Sequence, residues 1–154
     1  MGLRAIVYNL IKDSLNTITV AAGFSVDIKS VQDLVVPEDA LHLTQYPCAM
    51  IEWAGDALQQ RGDQYNLSTI TFIVRLAVRN TTQLALMEFI DDAEQVITLA
   101  QSAVPATGEG AIHQILVESV EREPPLGNKD QIQIAQLVVR AEVGYDFSRV
   151  GFIT

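Results

Sequence analysis

The sequence predicts an α+β fold: a mainly antiparallel β-sheet with two principal helices packed on it, in the order αβββαββ. Three observations carry this. Apolar residues recur at helical spacing over residues 3–18 and again up to Ala100. They alternate with a period of two over 67–79, 112–120 and 132–145. The runs are divided by turn formers such as Asn80-Thr81-Thr82, Val104-Pro105 and Pro124-Pro125 rather than by linkers. At 154 residues the chain is expected to form one domain over 1–154, with 147–154 as an apolar C-terminal tail. That length buries a core without staples.

In the first helix, Leu3, Ile6, Val7, Leu10, Ile11, Ser14 and Ile18 share one side, with Asn9, Lys12 and Asn16 opposite. The β-branched residues in 17–20 weaken its end, and Gly23 stops it. Phe24, Val26 and Ile28 then alternate with polar residues, the pattern of a half-buried strand that extends toward Val31. Residues 32–46 lack a period and read as a loop with a helical turn near 38–41. After Pro47, the apolar run 48–53 reads as a short strand covered on both faces. The polar stretch 56–66, holding Gly62, is expected to be a long hairpin loop.

The longest alternating run follows. Ile70, Phe72, Val74, Leu76 and Val78 form one face of strand 67–79, and Thr69, Thr71, Ile73, Arg75, Ala77 and Arg79 form a mixed second face. Asn80, Thr81 or Thr82 can cap the next helix. Its core stripe is Leu86, Phe89, Ile90, Ala93, Val96, Ile97 and Ala100, with Glu88, Asp91 and Asp92 expected on a solvated acidic back. Residues 108–110 read as a flexible loop. Strands 112–120 and 132–145 then make a hairpin with a long polar tip.

Net charge is −9, unevenly placed: residues 1–80 carry six basic and eight acidic side chains, residues 81–154 four and eleven. Nothing clusters lysine and arginine as a phosphate-binding surface requires. Cys48, the single cysteine, reads as a small core residue. The N-terminal helix, interrupted by Asn9, Asp13 and Asn16, is unlike a signal peptide, and no apolar run approaches the ~20 residues of a membrane span. A reducing cytoplasm is the expected setting.

Catalytic chemistry finds little support. Asp91 and Asp92 are adjacent helical positions and diverge by about 100°. Glu121 and Glu123 sit in the hairpin tip, where charge serves solubility. His42 and His113 are distant in sequence, without the close-spaced partners of a metal site. Neither a nucleophile elbow nor a dinucleotide fingerprint is present. Arg61-Gly62-Asp63 reads as a turn.

The layout itself is distinctive: an amphipathic helix, a strand ending in a Tyr46-Pro47 loop, the apolar strand Cys48-Ala49-Met50-Ile51-Glu52-Trp53, a polar stretch, a long strand feeding an acidic helix, and a terminal hairpin. It resembles the tail terminator, or tail completion, proteins of long-tailed bacteriophages. The resemblance implies a homohexameric ring that caps the head-proximal end of the tail tube, ends tube polymerisation and provides the head-attachment surface. It implies a virion protein assembled in the host cytoplasm, with no enzymatic activity, cofactor or membrane. The implied partners are further copies of the chain, the tail tube protein, a head-completion or neck protein and the tape-measure protein, with DNA passing through the channel without specific binding. Two other readings stay open: a head-completion or neck protein, and a small-molecule-binding or enzymatic α+β domain with a pocket between the second helix and the sheet.

A ring needs a heterologous interface, in which two different patches of one subunit meet. The candidates are the mixed strand face at Ile73 and Arg75 and the tail residues Phe147, Val150, Phe152 and Ile153. Loops carry recognition on rigid sheets, which singles out Gln60, Arg61 and Asp63, and Glu121, Arg122, Glu123 and Lys129, as tube or neck contacts. Glu88, Asp91 and Asp92 would face solvent or the channel, where like charge keeps DNA from adhering.

Overall fold

The computed structural model describes residues 2–33, 45–62, 65–79, 81–100, 110–123 and 132–146. The class and element order are those expected: α1 (Leu3–Asn16), β1 (Ser30–Gln32), β2 (Cys48–Arg61), β3 (Tyr65–Arg79), α2 (Gln83–Ala100), β4 (Gly110–Arg122) and β5 (Ile132–Asp146). The five strands form one sheet in the order β1-β2-β3-β5-β4, antiparallel except for the short β1–β2 pair.

Both helices pack on one face of this sheet and on each other, α2 across β3, β5 and β4, and α1 toward β1, β2 and β4. The core lies between the layers. Leu3, Val7, Ile11 and Leu15 of α1 and Leu86, Phe89, Ala93, Val96 and Ile97 of α2 meet Ala49 and Ile51 of β2, Ile70, Phe72, Val74, Leu76 and Val78 of β3, and the alternate residues Ala135 to Val143 of β5. Phe72 and Phe89 are the largest fully buried side chains. The tilted Tyr8 ring packs 6.3 Å from Phe72, centroid to centroid.

The first helix ends two residues earlier than its apolar pattern. The Thr17 hydroxyl donates to the Ser14 carbonyl at 2.6 Å, and Thr19 is already extended, its side chain capping a single 3-10 turn at Val20–Ala22. Gly23 closes that turn with φ of 98°, a left-handed conformation that favours glycine. At the start of α2 the Thr82 hydroxyl accepts from the Ala85 amide at 3.1 Å, so Thr82 supplies the cap.

Three expectations are corrected. Residues 24–28 keep their alternation, since Phe24, Val26 and Ile28 pack partly buried against the core, yet they form no strand. Their backbone bonds go elsewhere: the Ser25 amide donates to Asp92 at 2.9 Å, the Ile28 amide to the Ile18 carbonyl at 3.0 Å, and the Lys29 amide to the Pro47 carbonyl at 2.8 Å. Pairing with β2 begins only at Ser30.

The polar stretch expected as a loop from residue 56 is instead the second half of β2, which pairs with β3 as far as Arg61 opposite Asn66. A strand whose outer side meets solvent has no need of apolar residues, and its ladder to β3 holds it. The strand 48–53 is thus not short, and only its first part is buried. Gly110, read as part of a loop, opens β4. Its φ is 152°, and a Cβ there would run into the Gly144 carbonyl, so β4 and β5 approach at a point that admits only glycine.

Candidate functional site

The sheet face away from the helices is the mixed face expected from the sequence. Register places Ile73 opposite Val138, Arg75 opposite Gln136 and Thr71 opposite Arg140. Two ion pairs flank the Ile73–Val138 row: Arg75 with Glu123 at 2.5 Å, and Arg140 with Glu118 at 3.1 Å. The first is largely removed from solvent and ties the end of β4 to the middle of β3; the second is exposed and contributes little. At one end of this face Tyr46, Cys48, Met50, Ala77, Ile132 and Ile134 form a second apolar cluster, which is where Cys48 is buried. The Arg79 guanidinium lies over the Tyr46 ring, 5.7 Å from its centroid.

Strand directions separate the two expected contact regions. Gln60 and Arg61 end β2 beside the start of β3, whereas Glu121 and Arg122 end β4 beside the start of β5, with Glu123 following and donating its amide to the Ile134 carbonyl. These lie toward opposite ends of the sheet, about 30 Å apart along β3, since Gln60 and Arg61 pair with Leu67 and Asn66 while Glu121 and Arg122 align through β5 with Arg75 and Leu76. Glu121 and Arg122 belong to a strand, not a loop, and Arg122 reaches Gln133 at 3.2 Å. Asp63, Lys129, Phe147, Val150, Phe152 and Ile153 lie outside the described residues.

On α2, Glu88 and Asp91 are exposed as expected, but Asp92 is not. At 8% exposure it sits three positions after Phe89, within the buried stripe, and its carboxylate accepts the Ser25 amide. The acidic back of the helix therefore consists of Glu88 and Asp91, with Glu94 half-buried and no lysine or arginine on the helix. Its exposed side also carries Leu84, Met87 and Leu99.

A cluster at the edge of β2 escaped the sequence reading. Trp53 and Leu58 are 55% and 56% exposed. The Trp53 indole N–H donates to Asp56 Oδ1 at 2.9 Å, while Arg4 of α1 donates to Asp56 Oδ2 at 2.6 Å and lies 6.0 Å from the centre of the Tyr145 ring. The hydrogen bond that Arg4 donates to Asp56 raises the Arg4 pKa above its ordinary value, against the opposing effect of burial. One carboxylate thus fixes both the exposed indole and the first turn of α1. The sequence signal is Trp53 at the end of an apolar run with Asp56 three residues on; Arg4, far away in the chain, gives it meaning.

A cavity of about 260 Å³ lies where β3 passes into α2, lined by Val26, Tyr46, Pro47, Val78, Arg79, Thr81 and Ala85. It is small beside the ~300–1,000 Å³ of ordinary ligand sites, and among the described residues its lining holds no carboxylate, histidine or cysteine. Among the described residues no group of acidic, histidine or cysteine side chains is placed to hold a metal, and no helix is long and apolar enough to cross a membrane.

No protein-family model matches the chain, and no curated protein matches it in sequence. Among solved structures, it is similar to a chain from the virion of a native gene transfer agent particle, with a TM-score of 0.58, 14% identity, and coverage of 92% of this chain and 94% of that one. The two chains share a fold. The likeness spans nearly the full length of both.

Proposed function

We propose that this chain is a structural virion protein that forms a ring at the head-proximal end of a phage tail, ending tail-tube polymerisation and offering the surface to which the head attaches. The observation that carries this reading is the nearly end-to-end likeness to a chain of a virion particle. The geometry is in keeping with it. A ring subunit between tube and head must offer two different surfaces on opposite sides, and the two ends of this sheet marked by Gln60 and Arg61 and by Glu121 and Glu123 are about 30 Å apart along β3. The protein acts by assembly and not as an enzyme, with the tail tube protein at one end, a head-completion or neck protein at the other, and contact with the tape-measure protein from within.

Ring closure uses a heterologous interface that draws on the mixed face at Ile73 and Arg75 and on the apolar tail residues Phe147, Val150, Phe152 and Ile153. Glu88 and Asp91 line the channel or its rim, where their charge keeps passing DNA from adhering. The test is electron microscopy of the purified chain with and without tail tubes. Rings seated on one end of the tube, with tube growth arrested, are the expected result; rings only on capsids would place the protein in the neck, and no rings would overturn the reading. Phe152→Asp is expected to abolish rings while the circular dichroism spectrum stays that of the unmodified chain.

A further inference from the structure

Resting on that ring, we propose that the Trp53–Leu58 shelf at the edge of β2 is the receptor for the C-terminal segment 147–154 of the next copy.

The shelf is built and open. Beyond Met50, β2 has no strand on its outer side among the described residues, because β1 pairs only with Cys48–Met50. Trp53 lies opposite Phe72 and Leu58 opposite Ser68, so both project on the helix-bearing face, about 13 Å apart along β3. Asp56, between them, holds the indole by its N–H. An exposed tryptophan fixed in one orientation loses little freedom when covered, the property of an interface anchor. Register breaks at Trp53/Gly55 and at Leu58/Gln60 interrupt the ladder that an added strand would need, so the site recognises side chains more than backbone.

The tail has the matching chemistry. In eight residues it carries Phe147, Val150, Phe152 and Ile153, and its single charged side chain is Arg149. The exposed acid Glu52 precedes Trp53 on the same edge. The tail starts after Asp146, which pairs with Tyr65 at the same end of the sheet as Arg61. Its own shelf is two strands away on the helix-bearing face, and between them Arg4 bridges Asp56 and lies against Tyr145. The first turn of α1 therefore stands in the direct route within one copy. In a head-to-tail ring each tail is offered to the shelf of the next copy, and every shelf is filled once.

Trp53 is the sole tryptophan, so its fluorescence reports the shelf directly. On assembly of the unmodified chain, its emission is expected to shift to shorter wavelength and acrylamide quenching to fall; Phe152→Ser is expected to restore quenching. A Leu58→Cys chain is mixed with a differently tagged Phe152→Cys chain and oxidised. Because Leu58 is exposed and native Cys48 fully buried, disulfides joining the two tags are expected. Rings that form with Trp53 still quenched and no cross-tag disulfide would overturn this docking and leave the ring intact. Linkage only within a doubly substituted chain of monomer mass would overturn exchange between copies. A chain that never oligomerises would overturn both proposals.

Discussion

The central strands and the edge strands of this sheet are built to different rules. β3 and β5 pair over fifteen residues without a break in register, and their helix-side residues are almost wholly buried. β2 and β4 each depart twice from regular pairing, at Trp53/Gly55 and Leu58/Gln60 and at Ile112/Gln114 and Val117/Ser119. Bulges twist an edge and deny it to a stray strand. Among the described residues the exposed large apolar side chains of the sheet, Trp53, Leu58 and Val120, all lie on these edges. Burial is concentrated at the centre, and the edges carry the exposed apolar side chains.

Substitutions can break or sharpen that contrast. The largest effect is expected at the centre: Phe72→Ala removes a fully buried ring that packs on Tyr8, and should cost about 3–5 kcal/mol in chemical denaturation. If the edges carry no stability of their own, Gly110→Ala on β4 should be silent, yet the close approach to Gly144 predicts a loss of about 1–3 kcal/mol; the centre–edge division thus fails at this one point of contact. The smallest test compares two neighbours on α2. Asp92→Ala strands the Ser25 amide and should cost about 1–2 kcal/mol, while Asp91→Ala on the exposed back should change stability by less than about 0.5 kcal/mol. Equal effects would contradict the placement of Asp92 in the buried stripe.

Legibility in the sequence follows the same division. The central strands and α2 could be read because burial writes itself into periodicity: Ile70 to Val78 alternate because one face is core. The second half of β2 could not, since Gln60, Arg61 and their neighbours are held by backbone pairing and the sequence shows only polarity. Phe24, Val26 and Ile28 misled in the opposite sense, being partly buried at strand spacing while the Phe24 amide bonds to Thr19, the Ser25 amide to Asp92 and the Ile28 amide to Ile18. Asp92 itself was misplaced because a charged residue in a helical stripe reads as solvent-facing unless its amide partner is known. Of the candidate site, Ile73 and Arg75 could be identified from the mixed face of the long strand. The Trp53 shelf could not, because its orientation depends on a carboxylate shared with Arg4, a contact visible only after folding.

Self-assembly is the claim on which the rest depends, and the native mass of the purified chain tests it most directly. Six copies of a 16.9 kDa subunit, persisting on dilution to micromolar concentration, are the predicted result. A stable 16.9 kDa monomer under the same conditions would contradict the account.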